Sequence, residues 1–373
     1  MKIYDRNLKR TIEEKDYNAL PVKLLYNNIL GRTIVKTILV KKPISKLNGK
    51  RYSSKRSVRI IPKFIKKHQI DMEDYPVVEY KSFNDFFTRE IKPEKRPIDR
   101  DSNVLISCTD SLLTIYTIDN NLTFKLKNSY YTISELLHND TLSKKYTNGY
   151  CLIFRLTVRD YHHYCFIDEG TCENEVEIEG VLHTVNPIAN KKVKVYKENN
   201  REYTTLHTKN FDDVVMIEVG ALMVGKIRNN NKKSFQKGEE KGYFEFGGST
   251  VILLFKENTI KIDEDIINNS KEEIETRVKM GEKIGEKFTK WTFFQGKKLF
   301  IMYNISVRID MEVKNESINN WSKLRIRSNT CLSISWQRLW FNFSSKTKRT
   351  FRRNKKQCKN RCSNNKFRLI EYF

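Results

Sequence analysis

Between residues 104 and 255 the chain is written in short runs of β-branched, aliphatic and aromatic residues, each bounded by turn residues: "VLI", "LLTIY", "LTFKL", "CLIFRL", "VEIEGVLHTV", "VVMIEVG", "LMVGKI", "GYFEF" and "VILLF". Runs of this length and composition fit a pleated sheet and leave no room for long helices. The expected class is α+β: N-terminal amphipathic helices followed by a β-rich domain of mostly antiparallel strands. In "LPVKLLYNNILGRTIVKTILV", residues 20–40, Val22, Leu25 and Ile29 form one helical stripe and Ile34, Val35, Ile38 and Leu39 another, with Lys23, Arg32 and Lys36 outside them. That pattern predicts helix broken near Gly31 and ended before Pro43. "EDIINNSKEEIETRVKMGEKIGEK", residues 264–287, reads as a further helical segment.

Charge narrows the partners. The chain carries 70 Lys and Arg against 45 Asp and Glu, a net +25, which asks for an anionic surface such as nucleic acid or an acidic membrane. Arg51, Lys55, Arg56, Arg59, Lys63, Lys66 and Lys67 follow the amphipathic stretch, interleaved with Ile60, Ile61 and Ile65. An apolar stripe with a basic flank can lie at a lipid interface, because burial of the stripe and attraction to anionic headgroups add; the same pattern also fits a core helix with a solvated basic face. No stretch reaches the roughly 18 apolar residues of a spanning helix, and the N-terminus lacks the apolar centre of a secretory signal. Zinc-finger, RNP and helix-turn-helix signatures are absent, so nucleic acid is not the expected partner. The seven cysteines form no C-x-x-C pair and read as reduced intracellular thiols; Cys358 and Cys362 lack a matching second pair, and no metal is expected. Residues 341–373 hold eleven Lys or Arg against one Glu and read as a basic tail.

Within "EKGYFEFGGSTVILLF", residues 240–255, Gly247-Gly248-Ser249-Thr250 interrupts what would otherwise be continuous strand. A glycine pair there can mark a bulge or a close backbone approach. It can also be chemical. A serine hydroxyl following glycine can attack the preceding carbonyl, and glycine on the acyl side removes the Cβ that would obstruct the required backbone geometry. The product is an ester in the main chain.

Five segments, in order, decide between these readings: "FNDFFTREIKPEKRPID" (83–99), "DYHHYCFIDEG" (160–170), "TVNPIA" (184–189), "VVMIEVGALMVGKI" (214–227) and "KGEEKGYFEFGGSTVILLF" (237–255). Together they resemble the successive signatures of phosphatidylserine decarboxylases, most closely the clostridial type with Gly-Gly-Ser-Thr. The resemblance runs from about residue 20 to 287. It implies a basic amphipathic membrane-associating region (1–75), a catalytic domain (76–287) and a tail outside the family (288–373). It further implies self-cleavage between Gly248 and Ser249, giving a β-chain 1–248 and an α-chain 249–373 that stay together as a heterodimer. Elimination from the ester and hydrolysis would turn Ser249 into a pyruvoyl group, with no external cofactor. That ketone would accept the amine of phosphatidylserine and act as electron sink when CO2 leaves, yielding phosphatidylethanolamine. The implied setting is peripheral, on the cytoplasmic side of the cell membrane against its anionic surface, and a homodimer is among the assemblies implied.

The family activates its serine through an Asp-His-Ser arrangement. Its Asp lies in a segment that here reads "SCTDS", giving Asp110, with Cys108 and Ser111 where Pro and Gly are usual. The family's D-Y-H-R-x-H reads Asp160-Tyr161-His162-His163-Tyr164-Cys165, so the first His is His162 and the second falls on Cys165. Either His162 serves both maturation and decarboxylation, or His163 or Cys165 takes part of that work, or the chain matures poorly. An imidazole of pKa about 6.5 is the natural reversible proton carrier, which makes His162 the preferred base. The competing reading is a degenerate, uncleaved and non-enzymatic relative, or a basic membrane- or nucleic-acid-binding protein.

Overall fold

A computed structural model describes residues 2–14, 19–40, 42–126, 129–190, 193–221, 226–246, 249–289 and the two-residue stretches 324–325 and 368–369. Residues 1–290 form one compact unit. The unit is built on a long sheet in the spatial order Ser234–Phe235, Gly170–Cys172, Arg201–Thr208, Asp212–Val219, Ser249–Phe255, Tyr150–Leu156, Ser111–Thr117, Glu275–Val278, Lys2–Asp5 and Arg10–Glu13, with Val176–Ile178 also pairing to Arg201–Thr208. All pairings are antiparallel except Lys2–Asp5 with Glu275–Val278. The α+β class expected from the sequence is the one observed.

The central strands carry apolar residues on both faces because both faces are covered. Val215, Ile217, Val219, Ile252, Leu254, Cys151 and Ile153 point into one core, which the N-terminal helices close through Val22, Tyr26, Val35 and Val40. Val214, Met216, Val251, Leu253, Phe255, Leu152 and Phe154 point into the other. There they meet two small sheets: Ile227–Asn229 with Glu240–Phe244 and His163–Cys165, and Ile260–Ile262 with Lys283–Lys287 and Val104–Ile106. Runs such as "VILLF" thus read as uninterrupted apolar segments rather than as an alternation, since neither face of the sheet is left to water.

The helices that precede the central strands include α1 (Ala19–Asn27), α2 (Ile29–Ile34), a π-helical turn Val35–Leu39, α3 (Lys42–Tyr52), α4 (Ile61–His68) and α5 (Phe83–Phe87). The break falls at Asn28, whose side chain caps α2 by accepting from the Gly31 amide, and not at Gly31. Gly31 serves packing instead. A Cβ there would lie 2.5 Å from the Leu24 carbonyl, so only glycine lets α2 pack onto α1. The preceding helical turn ends at Leu39, before Pro43 as expected, and Pro43 sits in the first turn of α3, which has no use for the amide that proline lacks. The expected helix 264–287 is corrected: only Glu264–Lys271 is helical, and Glu275–Val278 and Lys283–Lys287 are strands. Gly281, at φ +83°, makes the turn between them. Thr276 and Val278 face inward in the main sheet, and that tertiary burial overrides the local helical spacing.

Candidate active site

His162 is placed by a tight turn at the end of strand Tyr150–Leu156. Asp160 closes that turn: its carboxylate accepts the Thr157 amide at 2.6 Å and its own amide donates to the Thr157 carbonyl at 3.0 Å. The next residue but one is then aimed inward, and His162 is fully buried. Its Nδ1 lies 2.8 Å from the Asp160 carbonyl oxygen. A carbonyl can only accept, so Nδ1 carries the hydrogen and the lone pair sits on Nε2. Nε2 is buried and has no hydrogen-bond partner among the described residues. Burial first, and then the positive charge of Arg89 and the neighbouring His163, push the imidazole down to about 3, outweighing the bond to the Asp160 carbonyl. At neutral pH this is an uncharged base with its lone pair unused. Phe87 of α5 lies against the ring with centroids 4.1 Å apart.

Asp110 is held elsewhere. Arg96 donates to it through Nε (2.8 Å to Oδ1) and Nη2 (2.5 Å to Oδ2), and the Met280 amide adds a third bond at 2.9 Å to Oδ1. No hydrogen bond joins Asp110 to His162; the acceptor that orients the imidazole is the Asp160 carbonyl. Asp110 does lie beside the histidine segment: Thr109 Oγ1 donates to the His163 carbonyl at 2.8 Å, and the Cys165 amide donates to the Cys108 carbonyl at 2.8 Å.

His163 has both ring nitrogens occupied, Nδ1 at 2.7 Å from Glu240 Oε2 and Nε2 at 3.1 Å from the Thr88 carbonyl. Its ring is sandwiched between Tyr161 and Tyr243, at centroid distances of 4.5 and 5.1 Å. The bond from His163 holds Glu240 below the usual carboxylate range even though burial acts the other way. Such a ring ties three segments together, with an acceptor oxygen facing each nitrogen. Cys165 is fully buried, and burial pushes its thiol up to about 12; it is an uncharged thiol at neutral pH. Cys108 is pushed the same way by the same cause.

Ser249 opens strand Ser249–Phe255 in register with Leu156, the last residue of the strand that leads to His162. Gly247, Gly248 and the Ser249 side chain lie outside the described residues. What precedes them is well defined. The Phe244 amide donates to the His162 carbonyl at 3.0 Å, the Glu245 amide to the Lys226 carbonyl at 3.2 Å, and the Phe246 amide to Asn84 Oδ1 at 3.1 Å. The segment entering Gly247 therefore runs directly along His162. Phe83, Phe86 and Phe87 of "FNDFF" are buried, and Asn84 among them is a functional candidate that the motif alone does not reveal. The only available signal was a polar residue in an aromatic run.

Two further histidines lie outside this cluster. His183 is buried and contacts Tyr26 of α1 at 3.3 Å; His207 pairs with Asp213 at 2.7 Å. Among the described residues no cluster of His, Cys, Asp and Glu could hold a metal ion, and no helix is long and apolar enough to cross a membrane. A surface cavity of about 360 Å³, lined by Glu175, Thr204, Lys232 and Lys241 among others, contains none of the residues above.

Comparison with known proteins identifies the family. A family model described as phosphatidylserine decarboxylase matches residues 83–286. Phosphatidylserine decarboxylase proenzyme 2 of Clostridium acetobutylicum is 54% identical over 284 residues, 76% of this chain and 98% of that protein. Phosphatidylserine decarboxylase proenzymes of Clostridium botulinum and Clostridium beijerinckii are 44% and 42% identical over 293 residues, 77% of this chain and 99% of each. With an unencumbered imidazole beside the strand that enters Gly-Gly-Ser-Thr and matches of this extent, the chain belongs to the phosphatidylserine decarboxylase family.

Proposed function

We propose that the chain is a pyruvoyl-dependent phosphatidylserine decarboxylase that makes its own prosthetic group by cleaving between Gly248 and Ser249. The observation that carries the reading is His162: its buried Nε2 has no hydrogen-bond partner among the described residues, and its carbonyl accepts the Phe244 amide of the segment that leads into the cleavage sequence. In the first step the Ser249 hydroxyl oxygen bonds to the Gly248 carbonyl carbon, the Gly248–Ser249 C–N bond breaks, and the amine takes up the proton. His162 accepts the hydroxyl proton through Nε2 and returns it to the leaving amine. In the second step the base removes the Cα proton of residue 249, the Cβ–O bond breaks, and the Gly248 carboxylate leaves. Hydrolysis of the resulting dehydroalanine releases ammonia. When formed, the pyruvoyl group supplies a ketone that accepts the substrate amine and takes up the electron pair left by CO2. The residues present fit such a group: besides His162 Nε2, Thr250 Oγ1, next to Ser249 in the chain, is buried without a partner among the described residues. In this reading Asp110 supports the fold around the histidine through Arg96, while Cys165 and His163 do not act as bases.

The lipid partner is supported by α1 to α3. Val22, Tyr26, Val35 and Val40 are buried in the core, while Leu24, Ile29 and Leu30 are 67%, 76% and 73% exposed and Ile34, Ile38 and Leu47 join them at the surface. Lys55, Arg56, Arg59, Lys63, Lys66 and Lys67 lie exposed nearby in sequence. An apolar patch bordered by cations matches the interface of an anionic bilayer, so residues 1–75 act as a peripheral membrane-binding region of the catalytic unit.

The test is direct. Intact-mass analysis of the purified protein should give one chain ending at Gly248 and one beginning with a pyruvoyl-blocked residue 249, and Ser249→Ala should remain a single chain. Conversion of phosphatidylserine to phosphatidylethanolamine should follow cleavage. A wild-type chain that stays whole and is inactive would refute the proposal and favour a non-enzymatic relative.

A further inference from the structure

We infer that Asn84 is a positioning residue for self-cleavage. Its side-chain oxygen fixes the Phe246 amide, two residues before Gly248, in the segment whose Phe244 amide bonds the His162 carbonyl. This rests on the reading that the chain cuts itself at Gly248–Ser249.

Successive amides of a strand point to alternate sides. At Phe244 the amide goes to the backbone carbonyl of His162, and at Glu245 to that of Lys226 on the other side. At Phe246 the backbone ladder has run out on the His162 side, and the amide is instead taken by Asn84, 162 residues earlier in the chain. A side chain thus continues the ladder at the point where the strand must be held but cannot be paired, two residues before Gly248. The Phe246 ring is gripped as well. It packs edge-on against Tyr52 (4.6 Å), Phe83 (4.8 Å) and Phe87 (5.0 Å), and Phe87 is the residue that covers His162. One short helix, α5, therefore touches both the segment to be cut and the base.

That helix is itself immobilised. Ser82 caps it by accepting the Asp85 amide at 3.1 Å, Asp85 accepts the Lys81 amide at 2.8 Å, and the Phe83 amide donates to Ser57 Oγ at 2.8 Å. Attack on the Gly248 carbonyl needs a near-attack arrangement within a fraction of an ångström, and two flanking glycines cannot supply that rigidity. The geometry assigns it to Asn84 and the aromatic wall around Phe246.

The experiment follows self-cleavage of the full-length chain by denaturing gel and intact mass for wild type, Asn84→Leu, Asn84→Asp and Asn84→Gln, with and without hydroxylamine, which cuts a main-chain ester at the 248–249 junction. Asn84→Leu removes the acceptor at nearly constant volume and should slow cleavage roughly tenfold or more, since the amide loses its partner. Hydroxylamine should not restore it, because the ester itself fails to form. Asn84→Asp keeps an acceptor in place and should cleave within about threefold of wild type, while its thermal midpoint and that of Asn84→Leu stay close to each other. Cleavage of Asn84→Leu at the wild-type rate would overturn the inference, as would slow cleavage fully restored by hydroxylamine or left unrescued by Asn84→Asp. Should Asn84→Leu fail to fold, Asn84→Gln decides: it keeps the amide but moves its oxygen, and normal cleavage by it overturns the inference. If wild type does not cleave and matches Ser249→Ala, the cleavage reading itself fails; if wild type cleaves and the Asn84 variants do too, only Asn84 is misassigned.

Discussion

At the scale of single residues, His162 and Asp110 show how neighbours set a side chain's chemistry. His162 sits at about 3 in the fold, below the ordinary value of about 6.5 that it regains on unfolding. Between those values the unfolded chain binds a proton that the folded chain refuses, so stability falls as pH drops from about 6.5 towards 3. His68, lowered to about 4 chiefly by burial, acts with the same sign. Between pH 7 and pH 4.5 the loss attributable to His162 is on the order of 2 kcal/mol, and urea melts at the two pH values should show that much less loss in His162→Gln. The same variant should abolish self-cleavage. Arg96 and Asp110 are a buried ion pair, 8% and 6% exposed, and replacing Arg96 by Met strands the Asp110 charge. Destabilisation of roughly 3–5 kcal/mol in chemical unfolding is expected. Cys165→Ala, by contrast, should leave cleavage within about twofold on a gel time course, since a thiol pushed up to about 12 contributes no base at neutral pH.

At the scale of elements, the N-terminal helices divide their apolar residues between two destinations. Those that reach the core were not distinguishable from those that reach the surface by hydrophobicity: Ile29 and Ile34, assigned to stripes with Val22 and Val35, point outward, while Val22 and Val35 point inward. The break at Asn28 and the π-helical turn at Val35–Leu39 rotate one stripe relative to the other, a rotation that no fixed helical period anticipates. The outward set gives a test of the membrane face. Leu30→Glu combined with Ile29→Glu should reduce co-sedimentation with anionic phosphatidylglycerol vesicles roughly tenfold or more while leaving self-cleavage intact. Equal binding by variant and wild type would place the lipid contact elsewhere.

At the scale of the whole molecule, the proposed cleavage falls at the edge of a core strand and not in a loose linker. Ser249–Phe255 lies between Asp212–Val219 and Tyr150–Leu156, with Val251, Ile252, Leu253, Leu254 and Phe255 all buried. At about 1.5–3 kcal/mol for each such side chain, the new α-chain has ample reason to stay in place. The two products should therefore co-elute on gel filtration under native conditions and separate only in denaturant. The matched relatives cover about three quarters of this chain, and removing residues 291–373 should leave cleavage unchanged, as read by intact mass.

The sequence by itself determined the α+β class, because β-branched runs of this length can satisfy their backbone and bury their side chains only in a covered sheet. It also singled out Gly248–Ser249 and His162 as candidates, through the resemblance of the motifs around them to a family and not through their own spacing. Only the tertiary structure decided that Asp110 faces Arg96, that the Asp160 carbonyl sets the His162 tautomer, and that Asn84 completes a ladder 162 residues away. Hydrogen bonds between distant segments have no periodicity to betray them. They exist because the packed cores bring those segments together, and nothing local in "SCTDS" or "FNDFF" specifies the partner.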